Sequence, residues 1–404
     1  MNSVFRRLQQ AVKSSGIDAW VLFDFRKSNA LAWSILELPD DAHCTRRWMI
    51  VVPATGECVK IVHRMERLPL SHLEIKEVIY DTAESWEQAV SSVIGQFTTI
   101  AMEYSPNGAI PVVSRVDAGT IDFVRSVGVD VVSSADLLQE FTAVLTQDQI
   151  VSNAITAGQL RSAVFSGFRY LRERLLSGST VTEYDVQRHI HDVFRDHDLV
   201  TDSGPIVAIG PNAANPHYAP THSQSSVIKN GDVVLIDAWA KKDAPGAIYA
   251  DITWVAYAGD VVPDDVESAF KIIRDGRDAA LHLVQQAFAN GDDVRGCDVD
   301  DICRSTIAQS GMGERFIHRT GHNIHTEVHG PGANMDNFET HDMRKIIRGT
   351  TFSIEPGLYI PNTLGIRTEI DVVIDIDGTV LVPSSPIQRA VLPLYSDTWD
   401  VIES

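Results

Sequence analysis

Apolar and polar residues alternate in short blocks over the first 145 positions. The runs AWVLF (19–23), RWMIVV (47–52), CVKIV (58–62), EVIY (77–80), TTIAMEY (98–104) and VDVVSS (129–134) are brief and separated by amphipathic stretches. That pattern predicts a mixed α/β unit around a largely buried sheet. The opening MNSVFRRLQQAVKSSGIDAW carries charges every few residues and no apolar stretch of leader length, so it is expected to form the first helix of the fold. Near Leu145 the period changes. TQDQIVSNAITAGQLRSAVFSGFRYLRERLL repeats helically and opens with Thr146 and Gln149 at capping-box spacing. A second amphipathic segment follows the punctuating SGST, from about Val181 to His197. From about 205 the chain is strand-rich, with two further helices expected near 264–290 and 298–310. Helices and antiparallel strands in separate blocks predict an α+β fold, with an N-terminal α/β domain over 1–145 and a second domain over 146–404.

One run breaks the apolar pattern. In VVLIDAW (233–239), Asp237 sits inside a segment that otherwise reads as sheet interior. An unpaired buried charge costs several kcal/mol or more, so a partner or a cation is expected. KKDAPGA then marks a turn and IYADITWVAYA reads as the returning strand. A hairpin symmetric about Ala244 sets Asp251 opposite Asp237, and like charges facing one another call for a shared proton or a cation between them. TFSIEPGLYIPNTLGIRTEIDVVIDI repeats the motif: Glu355 closes one apolar strand, Glu369 lies early in the next, and both pairs are 14 residues apart. Four converging carboxylates need roughly four positive charges, which two divalent ions would supply. TGHNIHTEVHG offers His322, His325 and His329 as further donors.

Composition narrows the setting. The 404 residues are 44% hydrophobic and 22% charged, ordinary for a globular chain of more than one domain. A net charge of −20 argues against nucleic acid or an anionic membrane as partner. No segment approaches the roughly 20 apolar residues of a membrane span, and the cytoplasm is the expected location. Cys44, Cys58, Cys297 and Cys303 lack zinc spacing and are expected to be packed thiols. GPGANMD has no nucleotide-binding context and reads as a turn, while DVDDIC (298–303) reads as a helix start.

The segments LIDAW…YADIT, GHNIH…VHG, IEPGLY and GIRTE resemble, in order and context, the motifs of the pita-bread metallopeptidases: prolidase, aminopeptidase P and methionine aminopeptidase. The resemblance covers essentially the whole chain and is greatest to a bacterial Xaa-Pro dipeptidase. It implies a C-terminal pita-bread (creatinase/aminopeptidase-like) catalytic domain preceded by a creatinase-type α/β domain. It implies Asp237, Asp251, His322, Glu355 and Glu369 as ligands of two divalent ions, Asp251 and Glu369 bridging both. Ions about 3.5–4 Å apart would activate a bridging water, with Glu355 as general base and proton shuttle. Hard oxygen donors with one imidazole fit Mn²⁺, and Co²⁺, Fe²⁺ or Zn²⁺ are chemically acceptable.

The same resemblance assigns substrate handling to His329, seven residues after His322, to His217 in NPHYAP, and to His318, four before His322. Arg367, two before Glu369, is expected either to brace the carboxylates or to meet a substrate carboxylate; Tyr359 reads as core. Three departures stand out: the loop between the aspartates is longer than usual, Asn323 and His325 replace small residues, and Trp254 replaces an arginine. They bear on substrate identity more than on metal binding. The activity implied is hydrolysis of Xaa-Pro dipeptides. Alternatives are an aminopeptidase P acting on longer Xaa-Pro peptides and a pita-bread hydrolase or lyase acting on a non-peptide small molecule. A metal-free binding module is disfavoured, because all five ligand positions are intact. The implied partners are a small peptide substrate and a second copy in a homodimer.

Overall fold

The computed structural model describes residues 3–396. They divide into two compact units between Thr142 and Ala143. In the first unit, the six apolar runs become strands β1 (Ala19–Asp24), β2 (Trp48–Pro53), β3 (Val59–His63), β4 (Lys76–Tyr80), β5 (Thr99–Met102) and β6 (Asp130–Ser133). They form one sheet in the order β4-β3-β2-β1-β5-β6. Helices α1 (Ser3–Ser15), α2 (Ala30–Ile35), α3 (Ala83–Ile94), α4 (Ala118–Ser126) and α5 (Ala135–Thr142) complete the unit. Successive β1 residues point to opposite faces. Trp20 and Leu22 therefore join one core, and Ala19, Val21 and Phe23 the other. Glu103, just past β5, is fully buried and accepts hydrogen bonds from Trp20 Nε1 (2.7 Å), Asn29 Nδ2 (2.7 Å) and Ser134 Oγ (3.1 Å). Burial raises its pKa to about 7.

The second unit opens on α6 (Gln147–Leu176), capped as expected by the reciprocal Thr146–Gln149 pair, and α7 (Glu183–Asp196). Strands β7 (Leu199–Val200) and β8 (Ile206–Ile209) and the short helix α8 (Gly210–Ala213) lead to the long hairpin β9 (Val233–Lys242) and β10 (Ala250–Tyr257). Helices α9 (Asp264–Asn290) and α10 (Gly296–Ala308) follow. The remaining strands are β11 (Asn323–Ile324), β12 (Thr350–Ile354), β13 (Gly357–Ile360), β14 (Leu364–Arg367), β15 (Ile370–Ile374), β16 (Val380–Leu381) and β17 (Leu392–Pro393). One sheet runs β17-β10-β9-β7 with β8 also on β9, a second runs β11-β12-β15-β16, and β13 pairs β14. DVDDIC opens α10 as a helix start, and GPGANMD is irregular. The four cysteines are buried and unpaired.

Alternation along the long hairpin decides what faces what. Val234, Ile236, Ala238 and Ala240 of β9, with Ala250, Ile252, Trp254 and Ala256 of β10, pack in one core with α6 and α7. Gly167 allows the close approach: a Cβ there would lie 3.0 Å from the Ile190 side chain. The opposite face carries Asp237, Asp251 and Thr253. The register differs from a fold about Ala244: Asp237 pairs with Thr253, and Asp251 with Trp239. The turn centres one residue later, shifting the pairing by two. An even shift keeps side chains on their faces, so the two aspartates become diagonal neighbours on one face instead of direct opposites.

Trp254 therefore points away from the aspartates. It is 2% exposed and meets Phe165 of α6 edge-on, with ring centroids 4.8 Å apart. The departure at Trp254 thus falls in this helix-packed core rather than on the face that carries the acids. Trp254→Ala is expected to lower the unfolding free energy by roughly 3–5 kcal/mol, measured as a drop in the urea midpoint with unchanged m-value.

Candidate metal centre

Two ladders aim their acids at one space. Ile354 pairs with Ile370 in the β12–β15 ladder, so Glu355 and Glu369 flank its end, with the β13–β14 hairpin looping out between them. The ladders are tied by backbone: Glu369 N–H donates to the Thr253 carbonyl at 3.3 Å, and Asp251 N–H donates to Asp371 Oδ2 at 3.0 Å. Thr253 Oγ1 donates to Glu369 Oε2 at 2.8 Å. His322 enters from the segment before β11. Its N–H donates to Ser353 Oγ at 3.0 Å, and Ser353 N–H returns a bond to its carbonyl at 2.9 Å. Gly321 is required there, because a Cβ would stand 2.0 Å from the Ser353 carbonyl oxygen.

Single ligand atoms of Asp251, His322 and Glu369 lie within 4.8 Å of one another. His322 Nε2 is 3.4 Å from Glu355 Oε1 and 3.7 Å from Asp251 Oδ2. Asp237 is paired with Arg367 through its Oδ2, and its Oδ1 has no hydrogen bond among the described residues. Arg367 Nη1 also donates to Tyr359 Oη at 2.8 Å, and His318 Nε2 meets that hydroxyl at 2.8 Å. His318 Nδ1 lies 2.7 Å from the Arg319 carbonyl and so carries the proton, which makes Nε2 the acceptor. Both of its ring nitrogens are thus engaged by protein. Arg367 braces a carboxylate, and Tyr359 is part of the site as well as buried.

A cavity of about 680 Å³ opens onto this cluster. Its wall includes Asp237, Asp251, His318, His322, Glu355, Tyr359, Arg367 and Glu369, and also His217 and His329. The His322 and His329 rings meet edge-on at 4.3 Å. The residues given ligand or substrate roles from the sequence line one cavity; His325, offered with His322 and His329 as a donor, does not. Asn323 is buried, accepts Gly332 N–H at 2.8 Å, and packs where Gly330 and Gly332 leave room.

Electrostatics here are unbalanced. Burial, then the neighbouring Asp237, raises the pKa of Asp251 well above the usual carboxylate range; burial and Asp251 do the same to Glu369. Burial lifts Glu355 to about 7. Burial also lowers His322 well below its ordinary value and His318 to about 3, so both imidazoles are neutral. Asp251 Oδ1 is buried with no hydrogen-bond partner. Metal–ligand bonds of about 2.1 Å at right angles set donors about 3 Å apart, close to the His322 separations. The acid set, the neutral imidazole and the orphaned oxygen fit a divalent cation.

The model of metallopeptidase family M24 matches residues 153–375, more than half of the chain. The chain belongs to family M24. Curated relatives include the probable dipeptidase PepE of Mycobacterium tuberculosis, 26% identical over 351 residues and 85% of each chain. The Xaa-Pro dipeptidase of Lactobacillus helveticus is 30% identical over 213 residues, 52% of each chain. Among solved structures, dipeptidase PepE of Mycobacterium ulcerans superposes with a TM-score of 0.61 at 22% identity, covering 96% of this chain and 97% of that one. The fold is thus the pita-bread fold, and this M24 protein is a metallopeptidase.

Supporting residues were less visible in sequence. Asp371, two beyond Glu369, is fully buried with Oδ1 unpartnered; strand alternation could have found it. Thr253, two beyond Asp251, carries the same signal. Asp300 and Arg304 on α10 hold the 316–322 segment: Asp300 Oδ1 accepts Thr320 N–H and Oγ1–H, and Arg304 Nη2 reaches the His318 carbonyl at 2.6 Å. Buried Glu183 accepts Ile209 N–H, Asn212 Nδ2, Tyr218 Oη and Ser226 N–H, organising the loop that bears His217. No local pattern marks either group.

Carboxyls whose folded pKa is raised bind protons more tightly in the folded state, so their contribution falls as pH rises from about 4 through about 7. Metal-free protein should therefore lose stability over that interval. Mn²⁺ at about 100 times its Kd should raise Tm by roughly 5–10 °C at pH 8 and by less at pH 5.5, read by calorimetry. An increment that is larger at the lower pH contradicts this charge balance.

Proposed function

We propose that the chain hydrolyses Xaa-Pro dipeptides with two divalent ions held by Asp237, Asp251, His322, Glu355 and Glu369. The observation that supports this most is the convergence of acids on neutral His322 with only Arg367 paired to one of them. Asp251 and Glu369, whose ligand atoms lie within 4.8 Å of one another and of His322, would serve as shared ligands of the ions. Oxygen donors with a single imidazole favour Mn²⁺, with Co²⁺, Fe²⁺ and Zn²⁺ as substitutes. When bound, the ions acidify a water molecule and polarise the scissile carbonyl.

The protein's own groups then divide the work. Glu355, held near pKa 7 by burial, takes the water's proton and returns it to the leaving amine close to neutral pH. His329 and His217 on the cavity wall donate to the carbonyl oxygen as charge develops on it. Arg367 orients Asp237, while Tyr359 and His318 fix Arg367 from behind. The names of the relatives support the substrate: a dipeptidase and an Xaa-Pro dipeptidase. The resemblance extends the proposal to a homodimer in the cytoplasm that binds neither nucleic acid nor membrane. No helix among the described residues is long and apolar enough to cross a membrane, and the net charge is −20.

Protein reconstituted with Mn²⁺ should release proline from Leu-Pro and lose that activity on chelation. Glu355→Gln should lower kcat by roughly 10²–10⁴-fold, measured by proline release. Release of the first residue from Leu-Pro-Gly at a higher kcat/KM would favour the aminopeptidase P reading. Metal uptake without cleavage of any Xaa-Pro peptide would move the assignment to a non-peptide substrate.

A further inference from the structure

Two arginines line the cavity, and only one is committed to the protein. Arg367 bonds Asp237, Tyr359 and Thr253. Arg319 is held by its backbone alone: its N–H donates to Glu339 Oε1 at 3.0 Å, and its carbonyl accepts from His318 at 2.7 Å. Among the described residues its guanidinium makes no hydrogen bond or ion pair. A guanidinium presents five donors in a planar fork that matches a carboxylate. Here that fork is half-buried on a fixed segment, three residues before His322, and faces a cavity.

We propose that Arg319 receives the C-terminal carboxylate of the substrate and thereby restricts the enzyme to peptides that end one residue beyond the scissile bond. The inference rests on the peptidase reading above. A dipeptide carries its carboxylate on the residue next to the scissile carbonyl, and each added residue moves it up to about 3.3–3.6 Å further away. A receptor for it must therefore share the cavity with the acid cluster, as Arg319 does. Asp202 and Glu339 also line the wall, so acids outnumber bases and repel an anion. Divalent cations held by the cluster would offset that excess, leaving Arg319 as the guanidinium with no protein partner to meet an anion.

The test is the ratio of kcat/KM for Leu-Pro to that for Leu-Pro-amide, measured on the Mn²⁺-loaded full chain. A charge-assisted pair predicts a preference for the acid of roughly 10- to 100-fold, carried mainly by KM. Arg319→Gln should bring the ratio close to one, and Arg319→Lys should restore part of it. A wild-type ratio near one, or a ratio that survives Arg319→Gln, overturns the assignment. Should wild type cleave neither compound, the peptidase reading fails separately, and calorimetric titration of the same pair decides this one. Acid binding that is lost in Arg319→Gln upholds the receptor, whereas equal or absent binding of acid and amide overturns it.

Discussion

Buried Asp251 and Glu369 and partly buried Glu355 share one space whose imidazole is neutral and whose committed guanidinium belongs to Asp237. Carboxylates taken out of water at this spacing repel one another unless protonated or neutralised by cations. Much of the second unit can be understood as the framework that holds them there against that repulsion. Glu369 and Thr253 join the two ladders by a backbone and a side-chain bond, and Asp371 grips the Asp251 amide. Ser353 clasps His322 from both sides of its peptide.

The supports act at a distance from the chemistry. Arg304 packs on the rings of Phe316 and Phe338 while its fork pairs with Asp300, so one residue of α10 fixes the irregular segment that leads to His322. Glu183 plays the corresponding part for the His217 loop from the first turn of α7. Both are buried or half-buried carboxylate–donor networks whose partners are fully used. They contrast with the central acids, whose oxygens are not. Satisfied networks at the periphery and an unsatisfied one at the centre are what a preformed cation site needs.

Much of this was legible in the chain. Apolar runs gave the six strands of the first sheet, and the Thr146–Gln149 spacing located the start of α6. The acids were found because a carboxylate inside a buried strand conflicts with its surroundings, and because the same conflict recurs at equal spacing. Register was not legible. A loop of seven residues between β9 and β10 does not specify its centre, and Asp237 met Thr253 instead of Asp251. The error left the site intact because the shift was even. Trp254 stands three residues from Asp251, so strand alternation alone puts it on the opposite face; what lay beyond the sequence is its packing partner Phe165, far along the chain. Arg319, Asp202 and Glu339 reach the cavity from separate segments and leave no periodic trace.

The central claim is that cations hold these acids together, and metal stoichiometry tests it most directly. Protein stripped with chelator and dialysed against Mn²⁺ at pH 8 should retain two ions per chain by elemental analysis, with protons released on uptake. Asp251→Asn combined with Glu369→Gln should retain none. A wild-type chain that keeps no ion, or takes up metal equally well after both substitutions, would contradict the account.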